Sequence, residues 1–140
     1  MTRQIVKNNL ISIATHAILC ALTCIFLRIT WSSSHSMNQI ISFWVIVVLA
    51  IANLLFYFLC GRFLLHNTEN RKRNALSLVA LPVVIVICIF IPTGLLDWLY
   101  APLAVLASLI AHSLGFVGIL VFALLPSIAF YLGIITRKDF

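Results

Sequence analysis

The chain has 140 residues, 64% of them hydrophobic and 9% charged, with a mean hydropathy of +1.19 and a formal net charge of +6. A soluble domain carries roughly 25% charged residues, so a water-facing fold of this size could not cover its apolar surface, and lipid is the expected solvent. The cations sit beside apolar segments, with no basic helix or RNA-binding motif, which points to the bilayer and excludes nucleic acid as the expected partner.

The first apolar segment runs from about Asn9 to Thr30. Its apolar stretch exceeds the usual signal-peptide core and no A-x-A site follows, so an uncleaved span is expected. At 100° per residue, Ser12, His16, Thr23 and Thr30 lie within about 40° of each other. Ala14, Ala17, Ala21 and Ile25 take the opposite side. A polar stripe in a membrane span should face other helices.

A polar link from Trp31 to Asn38 leads into a second segment, about Gln39 to Gly61. The next link, Arg62 to Asn74, holds four of the nine cations, Arg62, Arg71, Lys72 and Arg73. A third segment runs from about Ala75 to Ile91, where Pro92 and Gly94 should end it. The last apolar stretch, Leu103 to Ile135, would be roughly 50 Å long as one helix, against a bilayer core of about 30 Å. It is expected to tilt, or to begin with an interfacial or re-entrant helix before the true span. Two spans joined near His112 to Gly115 are the third possibility.

Charge chooses between even and odd counts. With four spans, Arg3, Lys7, the Arg62–Arg73 link, Arg137 and Lys138 share one side, and only Arg28 is opposite. The positive-inside rule makes that side cytoplasmic. Trp31, Trp44, Trp98 and Tyr100 then fall at or near the outer ends of spans, where aromatic rings favour the headgroup level. The expected fold is all-α: a single-domain, polytopic four-helix transmembrane bundle of the plasma membrane, both termini cytoplasmic.

Three groups of residues stand out. Counting inward from the cytoplasmic ends puts His16, Asn53, Pro82 and Ser127 at one depth, roughly 10–12 Å in. Pro82 and Pro126 each remove a helical donor, loosening the carbonyls of Leu78 and Phe122. Mutual satisfaction of these groups is the expected role of the layer; a small-molecule or proton site is the sharper one. An outer-face layer gathers Arg28, His35, Asp97 and His112, with an Arg28–Asp97 ion pair as its candidate contact. Finally, Ala104, Ala107, Ser108, Ala111, Gly115 and Gly118 recur at spacings of three and four. Such ridges of small residues let helices approach closely in lipid, either within the bundle or against a membrane partner or second copy.

Catalytic motifs are absent: the chain has no P-loop, G-x-G-x-x-G, H-E-x-x-H or G-x-S-x-G. Neither metal nor cofactor is expected, since one histidine without a carboxylate makes no metal site. Cys20, Cys24, Cys60 and Cys88 lie in or at the ends of apolar segments and read as small buried hydrophobes. No span carries an interior carboxylate, which argues against a proton-coupled exporter of the four-span type. The expected function is non-catalytic, an accessory, regulatory or immunity-type subunit docking through the Ala104–Gly118 ridge. The alternative is a homo-oligomeric channel or transporter.

Overall fold

The structure is a computed structural model and describes residues 2–33, 39–67, 70–90, 117, 121 and 123–137. All regular structure among them is helical: α1 (Thr2–Ser33), α2 (Gln39–Phe63), α3 (Arg71–Leu76), α4 (Ala80–Phe90) and a C-terminal helix over Ala123–Ile135. Among the described residues one stretch, Arg3–Ile29, is long and apolar enough to cross a membrane; the apolar helical stretches Val47–Phe63 and Ala123–Ile135 are shorter.

Helix α1 starts well before Asn9, because no glycine or proline interrupts residues 2–33. It is the hub among α1–α4, touching α2, α3 and α4. Its inward face is polar and its outward face apolar. Ser12, Thr15, His16, Cys20 and Thr23 are buried, whereas Leu10, Ile18, Leu22, Ile25 and Ile29 are more than half exposed. Helix α2 repeats the outward pattern with Val48, Ile51 and Leu55.

The expected continuous third segment is broken. Asn70 caps α3, its side-chain oxygen accepting the Lys72 N–H at 3.0 Å. The helix then tightens, with Leu78 N–H donating to Ala75 and Val79 N–H to Leu76, and α4 begins afresh at Ala80. Pro82 supplies the reason. It offers no N–H to the Leu78 carbonyl, and its ring crowds that carbonyl. Ser127 Oγ donates to this carbonyl instead, at 3.4 Å.

The C-terminal helix crosses α2 with backbone against backbone. A Cβ on Gly61 would fall on the Phe130 carbonyl, and one on Gly133 on the Phe58 carbonyl, 2.7 Å from Arg62 N. The contacts Tyr57–Phe130, Gly61–Gly133 and Leu65–Arg137 advance together along both helices, so the two run parallel. Gly61 therefore lies inside α2 as a contact residue, not at its end. Around the crossing, Tyr57, Phe130, Leu81, Ile85 and Ile134 form the buried apolar core.

Replacing Gly133 with alanine should cost about 1–3 kcal/mol, the scale of overpacking in a tight contact. Thermal unfolding of the purified protein in detergent would read this as a lower midpoint, and an unchanged midpoint would show that the helices part without cost.

Candidate functional site

Histidine 16 sits at the centre of the buried polar face. Its Nδ1 lies 2.7 Å from the Tyr57 hydroxyl and its Nε2 3.5 Å from Cys20 Sγ, one turn along α1. Either neutral tautomer satisfies both contacts. In one, Tyr57 O–H donates to Nδ1 and Nε2–H donates to sulfur; in the other, Nδ1–H donates to the phenol oxygen and the thiol donates to Nε2. The imidazole also stacks on Tyr57 with centroids 6.0 Å apart, and Tyr57 meets the Phe130 ring edge-on at 5.2 Å. One aromatic column thus joins α1, α2 and the C-terminal helix.

Asn53 does not join this group. Its Nδ2 donates to Thr23 Oγ1 at 3.3 Å. Thr23 lies seven residues beyond His16, about 10 Å along the axis. Ser127 bonds the Leu78 carbonyl. The three residues that equal inward counts put in one layer therefore make three separate bonds. The register of α1 against α2 sets His16 level with Tyr57, and Asn53 is one turn further in.

Of the outer-face residues, Arg28 is exposed on α1; His35, Asp97 and His112 lie outside the described residues. So does the whole Ala104–Gly118 ridge.

A second polar cluster, which sequence reasoning missed, closes the opposite end of the bundle. Asn8 is 1% exposed. Its Nδ2 donates to the His66 carbonyl at 3.0 Å, and its Oδ1 accepts the His66 N–H at 3.1 Å. Asn9 Oδ1 accepts the Ala80 N–H at 3.1 Å, and Asn9 Nδ2 donates to the Ile5 and Leu76 carbonyls. Adjacent asparagines thus bind the α2–α3 link and the α3–α4 break. Asn74 Nδ2 donates to Asn67 Oδ1, Ser77 Oγ to the Asn74 carbonyl, and Arg137 Nη1 to the Leu65 carbonyl at 3.2 Å. The start of α1, the α2–α3 link and Arg137 consequently share one end of the bundle. The available signal was the run of amides Asn8, Asn9, Asn67, Asn70 and Asn74 flanking apolar segments.

Among the described residues, no three His, Cys, Asp or Glu side chains gather to hold a metal ion. Cys20, Cys24 and Cys60 are unbridged thiols. No family model, curated protein or solved structure matches this chain.

Tyr57→Phe removes a partner from a buried imidazole and should destabilise the protein by about 1–3 kcal/mol. Adding His16→Leu should cost less than the two single changes summed. Denaturant titration in mixed micelles would measure this coupling; strict additivity would mean that the two side chains share no bond.

Proposed function

We propose that this chain is a four-span protein of the plasma membrane with both termini cytoplasmic, acting without catalysis as an accessory, regulatory or immunity-type subunit on a membrane partner. One observation carries the reading: polar side chains are buried, several of them bonded to one another, while large apolar side chains face outward. Ser12, Thr15, His16 and Thr23 are inside and Leu10, Ile18, Leu22 and Ile29 outside. Water would favour the reverse; a bilayer favours this arrangement.

The cytoplasmic assignment draws on charge. Arg3, Lys7, Arg62, Arg71, Lys72, Arg73 and Arg137 belong to the segments that Asn8, Asn9 and Arg137 tie into one end. Cations gathered at one end mark the inner face. A cysteine placed at Lys138, in a chain whose other cysteines are replaced, should resist impermeant thiol reagents in intact cells and react after permeabilisation. Strong labelling from outside would impose an odd span count.

The docking function follows from how the interior is used. His16, Asn53 and Ser127 hold protein groups, which suits a scaffold more than a solute path. The ridge of small residues from Ala104 to Gly118 then offers the surface for a partner helix. Ala111→Leu or Gly115→Leu should release a copurifying membrane protein while expression persists. Copurification that survives both changes rules the ridge out. A homo-oligomeric channel or transporter is the second reading, favoured by the buried polar face that extends along α1 from Asn8 to Thr23. It would require solute flux in vesicles that disappears when His16 and Asn53 become leucine.

A further inference from the structure

We propose that a groove between the α3–α4 break and the C-terminal helix binds one anionic phospholipid, with its phosphate at Arg71 and an acyl chain laid toward Leu124. This rests on the membrane reading above. Two adjoining hollows share Tyr131. The first, about 230 Å³, lies between Leu78, Val79 and Pro82 on one side and Leu124 and Ile128 on the other. The break at Ser77–Val79 and the proline open it, because no regular helical turn fills that flank. Its rim residues Val79, Leu124 and Ile128 are about half exposed, so it opens sideways.

Water suits this trough poorly. A water molecule needs two to four polar partners, and apart from the Tyr131 phenol at one end the lining offers only the hydroxyl of Ser127, which already donates to the Leu78 carbonyl. Past Tyr131 the character changes. The second hollow, about 480 Å³, is lined by Asn67, Arg71, Asn74 and Ile135. Arg71 is exposed, and a guanidinium fork matches phosphate oxygens bidentately.

The order of these groups selects the occupant. Arg137, at the end of the C-terminal helix, binds the Leu65 carbonyl at the cation-rich end. From Tyr131 to Leu124 the trough therefore leads away from the charged end, over roughly 10 Å of helix. Cation, amides, phenol and apolar trough follow in the sequence in which a phospholipid presents phosphate, ester and chain. A free anion would use only the first part, and a neutral lipid only the last.

Native mass spectrometry of the full chain in detergent tests this, using phosphatidylglycerol and phosphatidylcholine of matched chains. Phosphatidylglycerol should be retained about fivefold better, the value of one well-placed cation near an anionic headgroup. Arg71→Gln should remove that preference, while Lys72→Gln, an exposed cation outside the groove lining, should leave it. Ile128→Trp fills the trough from a half-exposed position and should lower retention of both lipids. Equal effects of the two cation changes, or no effect of Ile128→Trp, would overturn the site in favour of diffuse surface charge. Displacement of phosphatidylglycerol by inorganic phosphate at equal concentration would also overturn it, as a simple anion site. Carbonate extraction separates the two levels: release of the protein from membranes defeats the membrane reading itself, whereas a retained protein without lipid preference defeats only the groove.

Discussion

The polar groups buried on the inward side of α1 depend on the protein for their partners. This constraint organises the rest of the fold. His16 holds Tyr57, Thr23 holds Asn53, and Asn8 and Asn9 hold the backbone of two links. Together these bonds draw α2, the α2–α3 link and the start of α4 onto the same helix, so α1 acts as a template as well as a helix. A buried donor left without a partner costs more than a typical bond contributes. Fit between α1 and its neighbours is thus enforced chiefly by the penalty for mispairing.

Packing supplies the complementary half. Apolar contact between helices is weakly selective where the surroundings are equally apolar, so close approach must come from shape. Gly61 and Gly133 provide it, letting the α2 and C-terminal backbones meet without side chains between them. That crossing brings Phe130 onto Tyr57, and Tyr57 onto His16. The polar pairing on α1 and the glycine crossing on α2 are therefore two ends of one contact chain, and the aromatic column is its middle.

Much of α1 was legible in the sequence. A 100° period separates Ser12, His16 and Thr23 from Ala14, Ala17, Ala21 and Ile25, and burial follows that division. The loosened carbonyl of Leu78 was equally readable, since proline removes a donor at a fixed offset. Tyr57 was not readable as the partner of His16, because the register of α1 against α2 is set by packing between residues far apart in the chain, 41 positions in this pair. Nor was the break at Ser77–Val79, since hydropathy runs on through it. Asn9 marked only the start of the first segment; the role of Asn8 and Asn9 appears once the links they bind are folded beside them.

Asn9 carries an implication for the order of assembly. The first N–H of α4 is received by a side chain 71 residues earlier in the chain. By the time Ala80 is synthesised, α1 has long been made, and its carboxamide is waiting. The kink at Pro82 can then be stabilised as it forms, without a later helix having to arrive first. Only Ser127, the second support of that kink, comes late. Vectorial synthesis and the placement of these two side chains agree: the N-terminal helix receives the broken segment, and the C-terminal helix seals it.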